Sequence, residues 1–290
     1  MKLKIITDST SQVPAKFAVE KNITLIEPTI DFDGGYKKEL SEVDYEKFIT
    51  KMRKMNPVPK TSVANPQDAL EIFEQIISDG YSDILYLYVT PELTNQIAPV
   101  KLAYKKIENK IKAHFYSTGH AATSQAPFAL YAQELLEKGE SITTITKTLD
   151  KLKSQIFTMG VSTTFDILFR TGKIKKSAKL SIISTLMRLK PLYLSTLDKG
   201  FGAAGAGTGF GSALKKIIAK AEEDTDANIE YNLIVSHVQN EKLGKKLENK
   251  IKKVRKIKDI KYWEISPCVA NSLGYGTVMI TLYPTLNTLK

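Results

Sequence analysis

The sequence predicts an α/β protein whose N-terminal part contains a mostly parallel sheet. Three observations favour this fold class. Short apolar runs alternate with segments of helical period through residues 2–155. Residues 83–89 (DILYLYV) form a nearly continuous apolar run, as expected for a central parallel strand. Capping residues, glycines and prolines separate the runs, so the chain reads as successive βαβ units.

The length of the chain allows more than one such unit. It has 290 residues, of which 42% are hydrophobic, enough for two α/β domains or one large one. Segment 142–155 places Ile145, Leu149 and Leu152 on one helical face. We place the domain junction after this segment, and predict an N-terminal α/β domain at 1–156 and a C-terminal α/β domain at 157–290.

Local signals define the elements of the first domain. Residues 23–32 are extended and end at a hairpin turn, Asp33-Gly34-Gly35, where both glycines accept positive φ. Ser41 is expected to cap one helix, and Asn65 with Pro66 to open another. The predicted strands are 2–7, 83–89 and 113–117, and the predicted helices are 14–20, 41–55, 65–80, 96–110, 119–138 and 142–155.

The second domain repeats strands and helices. Its predicted strands are 157–162, 191–197, 231–236, 260–265 and 277–283, and its predicted helices are 163–169, 212–223 and 240–253. The string Gly200–Gly205 fits a dinucleotide-binding fingerprint, but no helix starts directly after its first glycine. We therefore interpret it as a flexible hairpin or surface loop.

Composition restricts the classes of partner. The formal net charge is +11, and the densest basic run is 242–261. It is either a solvated helix face followed by a loop or a patch for an anionic membrane, a nucleic acid or an acidic protein. We favour the solvated face and expect no nucleic acid, because no aromatic stacking platform accompanies the lysines.

The sequence also restricts metal sites and location. Cys268 is the single cysteine, so an intramolecular disulfide and a cysteine zinc cluster are excluded. The three histidines lack metal-ligand spacing, and Cys268 is interpreted as a core residue. The chain enters a strand without a signal peptide, and no apolar run approaches the ~20 residues that span a bilayer. We expect a cytoplasmic protein.

A candidate site centres on residues 60–66 (KTSVANP). Thr61 and Ser62 come just before a predicted helix N-terminus, where hydroxyls and unpaired N–H groups can bind an anionic oxygen. The alternative is that they only cap the helix. Asp8 and Ser9 follow the first strand. They are either ligand-binding residues at the end of that strand or an N-cap of the next helix. With Thr94 in the loop after a central strand, we expect these side chains at one edge of the sheet.

Six segments taken in order resemble the DegV family of fatty-acid-binding proteins over nearly the whole chain. They are IITDSTSQVP (5–14), KTSVANP (60–66), TPELTN (90–95), FDILFRTGKI (165–174), LKPLYLSTLDKG (189–200) and ISPCVANSLGYG (265–276). The resemblance implies two α/β domains of the EDD fold with one long-chain fatty acid between them. It implies a carrier without a cofactor, whose bound carboxylate is phosphorylated by a separate fatty acid kinase subunit.

The resemblance also assigns residues to the site. Those implied to bind the carboxylate are Thr61, Ser62, Thr94, Lys173 and Ser272. The candidates for the pocket wall, of which Asp8, Ser9 and His120 follow from their positions in the chain, are Asp8, Ser9, Asn95, His120, Arg170, Gly274 and Tyr275. No residue is expected to be catalytic, and none to bind a metal. Transient contact with an anionic membrane surface is a further expectation.

The sequence departs from the family pattern at several of these positions. Thr94 replaces a serine, Asn95 a glycine, Lys173 an arginine and Ser272 a histidine, and Tyr275 replaces the proline of a Gly-Pro-Gly turn. Lysine keeps the charge of arginine without its bidentate geometry, and Arg170 could substitute for it; either residue could equally be a surface cation. Serine can donate a hydrogen bond but carries no charge.

These departures keep two alternative functions open. One is a phosphoryl-transfer enzyme related to a domain of dihydroxyacetone kinases, using the glycine-rich stretch. The other is a degenerate relative that acts as an interaction module, with its pocket closed by Tyr275 and Asn95.

Overall fold

A computed structural model describes residues 2–55, 57–165, 188–197 and 200–289. The strands are β1 (Leu3–Asp8), β2 (Ile23–Ile26), β3 (Thr29–Asp31), β4 (Tyr36–Lys38), β5 (Thr61–Ser62), β6 (Asp83–Tyr88), β7 (Lys112–Ser117), β8 (Phe157–Val161), β9 (Lys190–Thr196), β10 (Gly200–Gly207), β11 (Glu230–His237), β12 (Lys256–Glu264) and β13 (Val278–Pro284). The helices are α1 (Ala15–Glu20), α2 (Tyr45–Met52), α3 (Pro66–Ser78), α4 (Ile97–Tyr104), α5 (Ala126–Glu137), α6 (Ile142–Lys153), α7 (Phe210–Asp224), α8 (Glu241–Ile251) and α9 (Pro267–Leu273).

The N-terminal half (residues 2–156) contains a four-stranded parallel sheet in the order β2-β1-β6-β7. This confirms the predicted α/β class with its parallel sheet. Ile6 and Ile84 face a cluster with Phe73 of α3, whereas Ile5 packs on the opposite side with Phe128 of α5. Both faces are therefore covered by helices, which explains why the β6 sequence is apolar without alternation.

A small three-stranded sheet, β4-β3-β5, lies beside α2 in this half. The hairpin turn is confirmed, but positive φ occurs at Asp33 (52°) and Gly34 (93°) and not at Gly35. The prediction that Ser41 caps the next helix is wrong. Helix α2 begins later, at Tyr45, because the Asp44 carboxylate accepts a 2.9 Å hydrogen bond from the Lys47 N–H.

The C-terminal half (residues 157–289) contains a six-stranded mixed sheet in the order β10-β9-β8-β13-β11-β12. Of the two alternatives for Gly200–Gly205, the surface loop is wrong and the hairpin agrees with the structure, because these residues belong to β10, which pairs antiparallel with the preceding strand β9. Small side chains there allow close packing: a Cβ at Gly207 would lie 2.7 Å from the Cα of Ala213 in α7. The stretch is thus not a phosphate-binding turn.

The two halves share an apolar cluster, which we call the joint cluster. Its buried members from the N-terminal half include Ile30, Phe48 and Met52, and those from the C-terminal half include Cys268 and Leu273. Cys268 is a buried core residue, as predicted. Within the described residues, no helix combines the length and apolarity needed to cross a bilayer.

Candidate functional site

Helix α9 lies where the halves meet. Pro267 occupies the first turn of the helix. Gln12 follows β1 and has φ 70°. Its side chain binds Ser266, the residue before Pro267. Its side-chain carbonyl accepts from the Ser266 N–H at 2.7 Å, and its Nε2 donates to the Ser266 Oγ at 3.0 Å. One glutamine of the N-terminal half thus fixes the start of α9.

Glu39 makes a second connection to α9. It is 1% exposed. The Ser9 Oγ donates to one carboxylate oxygen at 2.5 Å, and the Cys268 N–H donates to the other at 2.8 Å. Burial raises the pKa of the Glu39 carboxyl above its ordinary value of 4.5. Ser9 is therefore engaged in holding the halves together, and its side chain is fully buried.

Asp8 lies at the carboxyl end of β1, as expected, but it is enclosed by the protein. Its carboxylate accepts from the Thr10 hydroxyl and from the Gln125 Nε2, the latter at 3.2 Å. Burial raises the pKa of Asp8 above its ordinary value of 3.8. No side-chain cap hydrogen bond from Asp8 is present. Asp8 thus occupies the N-cap position of the turn that follows without capping it through its side chain, and it is not exposed to a ligand in this conformation.

Thr61 and Ser62 form the short strand β5, and both are exposed. The alternative that they cap α3 is wrong, because the Asn65 side chain accepts from the Gln67 N–H at 2.9 Å and makes that cap. Successive strand residues point to opposite faces. The two hydroxyls therefore lie on opposite faces of the small sheet.

The register of β5 shows what each hydroxyl faces. Thr61 pairs with Ile30, and Ser62 pairs with Thr29. Paired residues of antiparallel strands share a face, so Thr61 lies on the side of Ile30 and the joint cluster. Ser62 and Thr29 instead line a shallow polar pocket of about 550 Å³ with Asn65. Only Thr61 is oriented towards the meeting of the halves.

Two buried amides connect the 60–66 segment to its neighbours. Asn271 of α9 donates from Nδ2 to the Pro59 carbonyl at 2.8 Å. The Gln96 side-chain carbonyl accepts from the Ala64 N–H at 3.2 Å. Asn271 Oδ1 and Gln96 Nε2 have no hydrogen-bond partner in the structure as described. The structure thus brings residues 59–66 next to α9.

The 90–95 loop reaches the C-terminal half through Leu93. A Cβ added at Gly200 of β10 would collide with the Leu93 side chain. Thr94 is half-buried and Asn95 is exposed. The loop therefore lies against β10, and the half-buried Thr94 stands between two exposed residues, Leu93 and Asn95.

Residues 272–275 form the end of α9 and the turn after it. Ser272 is exposed, and its Oγ donates at 3.3 Å to the Cys268 carbonyl one turn earlier. Gly274 has φ 92°, a value that glycine adopts readily. The Tyr275 ring stacks under Arg53, whose guanidinium carbon lies 4.2 Å from the ring centroid. Arg53 is a cation beside this loop that sequence reasoning missed.

His120 is not brought to this place. His120 is 2% exposed, and its Nε2 lies 2.9 Å from the Lys153 carbonyl at the end of α6. Its ring also packs beside Phe128. Lys173 and Arg170 lie outside the described residues. Among the described residues, no group of three or more His, Cys, Asp or Glu side chains could hold a metal ion.

Comparison with known proteins identifies the family. A model described as "Uncharacterised protein, DegV family" matches residues 2–285. The chain belongs to the DegV family. A Thermotoga maritima protein named a fatty acid-binding protein is 25% identical over 283 residues, which cover 96% of each chain. A DegV domain-containing protein of Clostridium acetobutylicum is 25% identical over 97% of this chain and 98% of that one.

Solved DegV structures share the fold over the same length. A Thermotoga maritima protein whose structure is reported to reveal a fatty acid binding function has a TM-score of 0.86 at 22% identity, with 98% and 100% of the two chains covered. A Eubacterium ventriosum stearic acid-binding protein has a TM-score of 0.84 at 18% identity, covering 100% of both chains. These similarities show that this DegV protein shares the mixed α/β fold of the solved structures.

Proposed function

We propose that this DegV protein binds one long-chain fatty acid between its halves, which we take as domains 1–156 and 157–290. The observation that supports this most directly is the position of Thr61. Its hydroxyl lies on the face of the small sheet that carries Ile30 and the joint cluster. An apolar region built from both halves, with a hydroxyl beside it, suits an acyl chain with a carboxylate head.

The energetics favour such a ligand. Each buried methylene contributes ~0.8 kcal/mol, so a long chain gains over ~10 kcal/mol before the cost of ordering it. The carboxylate needs donors and a positive charge. Thr61 and the unpartnered Gln96 Nε2 supply donors, and Arg53 or Lys173 supplies charge. Thr94 and Ser272 complete the proposed head-group site, and Ser62 is its peripheral member.

Relatives support the same ligand class. Structures of DegV proteins from Ruminococcus gnavus and Eubacterium eligens are reported with vaccenic acid and heptadecanoic acid. We further propose that this protein acts in the cytoplasm as a carrier without a cofactor, and that a separate fatty acid kinase phosphorylates the carboxylate. Contact with an anionic membrane surface would allow loading of the fatty acid.

Native mass spectrometry and a pair of matched variants test binding. The purified protein should carry one fatty acid, and the stripped protein should take up oleate. Thr61→Ala should weaken oleate binding 10- to 100-fold, because a hydrogen bond to a charged group contributes about 1.5–3 kcal/mol. Ser62→Ala, one residue away on the other face, should change it less than threefold. Equal effects of the two substitutions would disprove the assignment of Thr61.

The carrier role has its own test. The protein is mixed with a bacterial fatty acid kinase subunit, ATP and oleate, and acyl phosphate is measured. We expect acyl phosphate only when both proteins are present. ATP hydrolysis or phosphoryl transfer by this protein alone would instead support the phosphoryl-transfer enzyme. Failure of the stripped protein to bind any C14 to C20 acid would support the interaction module.

A further inference from the structure

A cavity lined by residues of both halves, which we call the back cleft, opens on the surface. Its volume is about 420 Å³, within the range of small-molecule sites, which commonly form at domain interfaces. Helices α1 and α5 form one side, and β11, β12 and the residues after β13 form the other. Phe17, Leu130 and Leu286 are half-buried along its wall.

The back cleft is remote from the fatty-acid site. It includes Asn232 near the start of β11, whereas His237 ends that strand and its carbonyl accepts from the Ile265 N–H of segment 265–276 at 2.8 Å. Five residues at ~3.3 Å each separate the two positions by ~17 Å. None of the residues lining the cleft belongs to segments 60–66, 90–95 or 265–276. A ligand here would be additional to the fatty acid.

Gln133 provides a buried polar atom that lacks a partner. The residue lines the cleft and is 5% exposed. Its Nε2 donates at 3.1 Å to the Glu137 carboxylate, which fixes the orientation of the amide because the carbonyl would be repelled there. The other atom, Oε1, has no hydrogen-bond partner in the described structure. A buried acceptor without a hydrogen bond is energetically costly. A ligand with an N–H or O–H donor would supply the missing bond to Oε1.

The charges of the back cleft favour an anion. Lys138 pairs with Glu134 at 2.8 Å, and Lys261 pairs with Asp259. Lys21 and Lys258 also line the cleft, and neither forms an ion pair with any described residue. The cleft lining contains four lysines and three carboxylates. Glu137 is bonded only by the neutral Gln133 amide among the contacts above, so the lining keeps an excess of one positive charge.

We propose that the back cleft binds a small organic anion with an apolar body and at least one N–H or O–H donor. The anionic group lies near Lys21 and Lys258, the apolar body contacts Phe17, Leu130 and Leu286, and the donor bonds the Gln133 Oε1. Because both halves form the walls, the bound anion bridges them.

The dye 8-anilinonaphthalene-1-sulfonate tests this proposal, since it combines a sulfonate, a secondary amine and an apolar ring system. Its fluorescence is titrated on the full chain in the presence of saturating oleate. We expect one saturable site per chain that oleate does not remove. Dye binding that oleate abolishes, or no saturable binding, would overturn the proposal.

Variants of matched charge locate the site. Lys258→Glu should weaken dye binding at least tenfold. Lys242→Glu makes the same charge change on an exposed residue of α8 outside the cleft, and should change it less than twofold. Gln133→Leu keeps the size and removes the acceptor, and should weaken binding about fivefold with no loss of thermal stability. Equal losses in the two lysine variants would also overturn the proposal.

Discussion

The two ends of the interface between the halves differ in how their polar groups are used. At the α9 end, Gln12 and Glu39 are buried, and each bonds residues at the start of that helix. At the back cleft, Gln133 keeps an acceptor without a partner, and Lys258 has no ion pair within the described residues. The first end fixes the relative position of the halves, and the second leaves groups available to a ligand.

The largest effect should follow removal of a buried connection at the α9 end. Glu39→Ala removes the acceptor of the Ser9 hydroxyl and the Cys268 N–H, and leaves a buried N–H unpaired. We expect the free energy of unfolding, measured in urea, to fall by about 2–4 kcal/mol. Glu42→Ala is the control, because Glu42 is exposed and accepts a hydrogen bond from the Lys38 N–H. It should cost less than ~1 kcal/mol. Similar losses in both variants would contradict the importance of this connection.

Two substitutions of Gln12 test the same end and distinguish the contribution of its side chain from that of its backbone conformation. Gln12→Ala loses both bonds to Ser266, with an expected cost of about 1–3 kcal/mol. Gln12→Gly loses the same bonds, but glycine accepts the φ of 70° without strain. The glycine variant should therefore be more stable than the alanine variant by roughly 1 kcal/mol. If alanine were the more stable of the two, the left-handed conformation of Gln12 would be wrong.

The pH dependence of stability gives a further test. Burial raises the pKa of Glu39 above 4.5, so the folded state retains a proton that the unfolded state releases. Stability should therefore fall as the pH rises from about 4.5 through the folded pKa of Glu39. Glu39→Gln cannot ionise and should flatten this slope in urea titrations between pH 4 and 8. An unchanged slope would show that other groups cause the pH dependence. Buried Asp8 is one such group, because its pKa is also raised.

The smallest effect is expected at the back cleft. Gln133→Leu removes an acceptor that has no partner in the described structure, and loses only the bond to Glu137. We expect the free energy of unfolding to change by less than ~0.5 kcal/mol, because replacing an unsatisfied polar group by an apolar one of similar shape is nearly neutral. A loss as large as that of Glu39→Ala would remove the contrast between the two ends.

Local patterns in the sequence determined a large part of this fold. The apolar run at 83–89 is strand β6, and Asn65 with Pro66 opens α3, because strand burial and helix capping depend on neighbouring residues. The order of short motifs indicated the DegV family, which the match over residues 2–285 confirms. The residues assigned to the carboxylate from those motifs stay a prediction.

Tertiary structure decided which polar groups remain available. Glu39 meets the Cys268 N–H across 229 residues of chain, and Gln12 meets Ser266 across 254. The residues adjacent to them in sequence do not indicate that these buried hydrogen bonds form. Likewise, Thr61 pairs with Ile30, and its side chain lies on the opposite face of the small sheet from that of Ser62. Periodicity and capping are set by adjacent residues, whereas burial and hydrogen-bond partners depend on segments that meet only in the folded chain.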